Sequence, residues 1–300
     1  MTREKKRPES ERKQPADPSR RDFVAVSAAI GIAAASGRAA AASRRVVERD
    51  VEVKTSDGVC DAAFIHPASG AHAGVIIWTD IFGLRPVFRA MGKRLAAHGY
   101  SVLVPNPFYR TAKAPVITDV PSFNFQNPAD RARIQAWTGP MNAPGAIERD
   151  ADAYVAFLDA QRQVDTGKKI GTQGYCMGGP LVVRTAAQVP DRIGAGGSFH
   201  GGGLVTDKPN SPHLLAPKIR ARMYFAIAAS DDARQPDAKD KLREAFAAAH
   251  VPAEVEVYPG TIHGWCVADM PLQNGKPIYN KPDAERAWHK LVALYAGALV

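Results

Sequence analysis

The chain has 300 residues, 45% hydrophobic and 23% charged, with 39 Lys and Arg against 30 Asp and Glu. This is an ordinary globular composition, long enough to bury a real core. Residues 1–42 carry 9 basic and 5 acidic side chains, leaving 30 against 25 with no aromatic-interleaved basic cluster, which argues against a nucleic-acid partner.

The N-terminus reads as a targeting segment. Ser19-Arg20-Arg21-Asp22-Phe23-Val24 leads into an apolar run over 24–35 and then Ala39-Ala40-Ala41-Ala42, the pattern of a twin-arginine export signal with a small-residue cleavage site. The competing reading is a basic tail on a cytoplasmic enzyme. A dozen apolar residues fall short of the roughly twenty that a membrane span needs, so no permanent anchor is expected. Residues 1–42 are thus the expected signal, handled by export machinery, and 43–300 one periplasmic or secreted domain.

After the signal, strands are predicted over 46–53, 60–65 and 74–78, a helix over 87–98 and a strand over 101–104. Residues 110–144, rich in Pro, Asn and Asp, read as a long excursion of the kind that lies over active sites. A helix over 147–158 precedes a strand that ends near 173. Strands over 193–199, 223–227 and 253–258 and helices over 180–188, 237–250 and 283–298 complete the series. Such alternation predicts an α/β fold, a mostly parallel sheet flanked by helices on both faces.

Gly174-Tyr175-Cys176-Met177-Gly178-Gly179 sits where a strand turns into a helix. A side chain on so sharp a turn stands clear of the sheet, and flanking glycines relieve the crowding, which suits a nucleophile. Tight packing or a phosphate cradle is the competing use of such a turn. Downstream come an acid after a strand, Asp231, with Asp232 allowed by the register, and then His263. The order nucleophile, acid, histidine is that of α/β-hydrolases. His200, in Phe199-His200-Gly201, is a candidate for lining the pocket. The three cysteines, Cys60, Cys176 and Cys266, are too scattered for a disulfide framework and lack CxxC spacing; no metal site or cofactor is expected.

From Asp80-Ile81-Phe82-Gly83-Leu84, Pro105-Asn106-Pro107-Phe108-Tyr109-Arg110, the elbow, Asp231 near Pro236, and His263-Gly264, the chain resembles the dienelactone hydrolase family over nearly all of 45–298. The resemblance implies an α/β-hydrolase fold, a cysteine nucleophile and cofactor-free hydrolysis of a small-molecule ester or lactone. It puts Cys176, Asp231 and His263 in the triad, with backbone amides of Ile81 and Met177 as oxyanion donors. It also puts Asp80, Tyr109, Arg110 and His200 around the substrate. Asp80 stands where the lactonase-like members carry glutamate, so a turn or cap role competes with contact to the cysteine. Arg110 matches one arginine of a carboxylate clamp, and Val267 replaces the other, which favours a less anionic substrate. The same triad also permits a thioesterase or acyl transferase, and a ligand-binding relative without activity is a third class.

Overall fold

A computed structural model describes residues 44–300. The expected export signal and its cleavage site lie outside the described residues.

β1 (Val46–Thr55) and β2 (Gly58–Pro67) form an antiparallel hairpin, with Thr55 opposite Gly58. β2 pairs antiparallel with β4 (Ser101–Pro105). All remaining neighbours are parallel: β3 (Gly74–Trp78), β5 (Ile170–Tyr175), β6 (Ile193–Phe199), β7 (Arg222–Ala228) and β8 (Ala253–Tyr258). The order β1-β2-β4-β3-β5-β6-β7-β8 makes one eight-stranded sheet of the α/β-hydrolase type.

The sheet is covered on both faces, which is why its central strands are nearly continuous apolar runs. β3 is buried throughout. Its Val75 and Ile77 join one core with Phe88 and Leu95 of α1 (Pro86–Ala97) and Leu291 and Tyr295 of α7 (Lys281–Ala298). Ile76 and Trp78 point the other way, toward Tyr154 and Leu158 of α3 (Ala146–Asp159) and Val182 of α4 (Gly178–Gln188). This two-residue alternation is the pleat itself.

Between 110 and 144, expected as an excursion, the structure has a helix, α2 (Pro128–Met141). Asn127 caps it by accepting from the Ala129 amide, and Pro128 occupies its first turn, but only Trp137 and Met141 are buried. A helix with so little buried face leaves a weak apolar period in the sequence. Two other short pieces carry little periodic signal: a 3₁₀ segment at Pro212–Lys218 and α5 (Ala229–Arg234), which follows β7 directly and precedes α6 (Ala238–Ala248).

β3 has β4 on one side and β5 on the other, so successive connections leave in opposite directions there. A crevice opens at such a switch point, beyond the carboxyl ends of the strands.

Candidate active site

The turn from β5 into α4 is held by close backbone approach. A Cβ on Gly174 would lie 2.1 Å from the Gly178 carbonyl oxygen, and one on Gly178 would lie 2.5 Å from that of Trp78. Cys176 itself has φ 52°, a left-handed conformation in which a non-glycine residue is strained. Its amide donates to the Phe199 carbonyl at 3.0 Å, and its carbonyl accepts from Gly179 at 3.1 Å. The side chain is left partly exposed, whereas Cys60 and Cys266 are buried. Burial pushes the Cys60 thiol up to about 12 and Cys266 well above its ordinary value, so neither is a ready thiolate.

The histidine arrives on the loop after β8 and the acid on the first turn of α5, and these two segments are clipped together. The Ser230 hydroxyl accepts from the His263 amide at 2.9 Å. The Ser230 amide donates to the Thr261 carbonyl at 3.2 Å, and the Ala229 amide to the Thr261 hydroxyl at 3.2 Å. The result is a 2.8 Å contact between His263 Nδ1 and Asp231 Oδ2. Asp232 turns away and pairs with Lys239 at 2.8 Å, so Asp231 is the acid that faces the histidine. Burial alone would lower the imidazole, but the Asp231 carboxylate and the Cys176 sulfur outweigh it and raise His263 to about 10.

Behind His263 lies His200, fully buried, its ring edge-on to His263 with centroids 4.9 Å apart. Neither of its nitrogens has a protein partner among the described residues. Burial, and then the charge of His263, push it well below its ordinary value, so it packs as a neutral ring. The expectation that it lines the pocket is corrected, because it lies outside the cleft lining.

The two histidines therefore tilt stability in opposite directions. His263 is raised when folded, so its contribution is complete below its unfolded value of about 6.5 and is lost as pH rises toward 10. His200 is depressed, so its contribution is complete above about 6.5 and is lost as pH falls below it. Chemical denaturation at pH 5 and 7 is expected to show a smaller acid-side loss in His200→Phe than in wild type. An unchanged acid-side loss would contradict a buried neutral His200.

Ile81 lines the cleft beside Cys176, Met177 follows Cys176 at the elbow, and among the described residues neither backbone amide has a protein acceptor. Around Cys176 and His263 opens a cleft of about 430 Å³ lined by Ile81, Phe125, Ile262, Met270, Leu272 and Ile278. The walls are apolar. Among the described residues no group of three His, Cys, Asp or Glu side chains is disposed to hold a metal ion.

Three residues expected at the substrate are engaged elsewhere. Arg110 is forked onto Asp150 at 2.8 Å and onto Asp57 at 2.7 Å, and its side chain is 9% exposed. Asp150 is a buried carboxylate on α3 and requires a cation. The carboxylate-gripping role expected of Arg110 is thus corrected. Tyr109 donates to the same Asp150 at 2.8 Å and meets the Thr55 hydroxyl at 2.7 Å, so it too serves this network rather than the cleft. Asp80 is fully buried, with Oδ1 accepting from the Phe82 amide at 2.9 Å and both oxygens from Arg85 at 2.6 and 2.9 Å. Its contacts are thus those of a turn acid combined with an ion pair. Burial holds its carboxyl above the ordinary value against the pull of Arg85.

Arg85 went unnoticed in the sequence, as did its other partner, Asp269, which it reaches at 2.7 and 2.9 Å. The guanidinium ties the loop that carries Ile81 to the loop that carries Met270 and Leu272. One signal was available. Arg85 is the residue before the first turn of α1, where the helix dipole disfavours a cation unless a carboxylate is near.

The family model described as "Dienelactone hydrolase family" matches residues 60–299. The carboxymethylenebutenolidase of Rhodococcus opacus is 25% identical over 222 residues, covering 72% of this chain and 79% of that protein. Protein usf of Aquifex pyrophilus is 25% identical over 244 residues, covering 80% and 94%. Among solved structures, a dienelactone hydrolase-like promiscuous phosphotriesterase from metagenomic libraries superposes with a TM-score of 0.68 at 22% identity, over 85% of this chain and 99% of that one. The dienelactone hydrolase of Anabaena variabilis does so with a TM-score of 0.55 at 15% identity, with the same coverage. At these identities the two structures speak for the fold, while the family match runs through elbow, acid and histidine alike, and the chain belongs to the dienelactone hydrolase family as a dienelactone hydrolase-like hydrolase.

Proposed function

We propose that the protein hydrolyses carboxylic esters or lactones through a Cys176-His263-Asp231 triad. The observation that carries this reading is the 2.8 Å His263–Asp231 contact beside a left-handed Cys176 in an open cleft. Asp231 fixes the imidazole tautomer, and His263 takes the Cys176 proton as the sulfur attacks. The thiolate attacks the carbonyl carbon and forms a C–S bond. The electron pair pushed onto oxygen meets the amides of Ile81 and Met177. As the oxyanion collapses, the C–O bond breaks and His263 gives its proton to the leaving alkoxide. Water then attacks the thioester with His263 as base, the C–S bond breaks, and the proton held by His263 returns to the sulfur, which releases the acid and restores the thiol.

The test is hydrolysis of an aryl ester and a simple lactone by the full chain, before and after alkylation with iodoacetamide. Turnover is expected to disappear in proportion to alkylation of Cys176, as read by peptide mass. Full turnover after complete alkylation of that residue would overturn the mechanism.

A further inference from the structure

Six large hydrophobic side chains are exposed among the described residues, and three of them, Phe125, Ile262 and Leu272, line the cleft that holds Cys176. They are 45%, 38% and 57% exposed. Exposed apolar side chains gathered in one place call for a ligand, whereas scattered ones need no explanation. The wall is also supported from behind. Phe82 packs edge-on against Phe123 with centroids 5.0 Å apart and lies 5.8 Å from Phe125, so the excursion is fastened to the loop that bears Ile81. Arg85 fastens the opposite wall through Asp269.

The charges point the same way. Arg234 is the only permanently charged side chain in the lining. It is 73% exposed and lies 3.6 Å from Asp231, so it offers a substrate carboxylate no desolvated partner. Arg110 is consumed by Asp57 and Asp150, and Val267 is fully buried. An anion entering this cleft would meet only Arg234, which stays in water, and His263, which already faces Asp231, so it has no buried cation of its own to replace the water it gives up.

We infer that the substrate is an uncharged ester whose acyl group is apolar and several carbons long, seated against Phe125, Ile262 and Leu272. This rests on the ester-hydrolase reading above. Each methylene transferred from water to an apolar wall is worth roughly fourfold in kcat/KM when fully buried. In a half-open cleft, four methylenes should still give about tenfold or more.

The experiment compares 4-nitrophenyl acetate, 4-nitrophenyl hexanoate and the 4-nitrophenyl monoester of succinic acid on the full chain. Wild type is expected to favour hexanoate over acetate by about tenfold or more and to use the succinate poorly. Leu272→Asp and Phe125→Asp should each lower the hexanoate-to-acetate ratio several-fold. Val59→Asp, which alters an exposed apolar residue on β2 away from the cleft, should leave that ratio unchanged. A ratio near one, or a preference for the succinate, overturns this inference and leaves the hydrolase reading standing. Failure to cleave any of the three overturns the hydrolase reading and the inference with it.

Discussion

Cys176→Ala is expected to lower kcat/KM for ester hydrolysis by on the order of 10⁴-fold or more, since the acyl-enzyme path is removed and members of a triad act as a unit. His263→Ala should cost nearly as much, and the double variant little more than either alone. Asp231→Asn should lose on the order of 10²- to 10⁴-fold because the amide no longer selects the imidazole tautomer. Asp232→Asn should stay near wild type, because Asp232 faces Lys239. The side chain of Cys176 is partly exposed, so removal of its sulfur should leave the thermal midpoint almost unmoved. Equal losses in Asp231→Asn and Asp232→Asn would contradict the geometry at the end of β7.

The largest effect on stability is expected from Arg85. Its side chain is 2% exposed and forks onto a fully buried Asp80, so Arg85→Met leaves a carboxylate with only the Phe82 amide. Breaking a buried pair from one side costs about 3–5 kcal/mol. Burial already raises Asp80, and without the guanidinium it rises further. A carboxyl raised in the folded state stabilises only while protonated, so the penalty in Arg85→Met should grow as pH rises from 5 to 8. Removing both charges, as in Asp80→Leu with Arg85→Met, should cost less than Arg85→Met alone. Denaturant midpoints of the three variants at pH 5 and 8 decide it. A single-variant loss under about 1 kcal/mol, or one independent of pH, would mean that the pair is solvated.

How far the sequence led depends on how local each signal was. β3 and β6 could be bounded to the residue because a parallel strand buried on both faces is a short run between turns, and β8, at the sheet edge, because its polar and apolar residues alternate. The elbow was legible for the same reason, since its glycines answer close backbone contacts within a few residues. α2 escaped because it buries only Trp137 and Met141, although Asn127-Pro128 with Asp130 is a recognisable helix start. Within the site, the choice between Asp231 and Asp232 turned on how α5 begins, and one residue of register reverses which acid meets the histidine. The sequence could not find the partners of Arg110 or choose between the two roles open to Asp80, because those partners, Asp57 and Asp150 in one case and Arg85 in the other, are set by the folded arrangement. A charged residue in a motif shows that a partner is needed, and only the fold decides whether that partner is substrate or protein.

The proposed mechanism requires a covalent acyl group at Cys176, and the most direct measurement is the mass of the protein quenched in acid during turnover of 4-nitrophenyl hexanoate. A hexanoyl increment is expected, confined to the peptide that contains Cys176 and lost on treatment with neutral hydroxylamine, as a thioester should be. Steady hydrolysis with no increment at Cys176 under rapid quench, in wild type and in the slower Asp231→Asn, or an acyl group found on another residue, would contradict it.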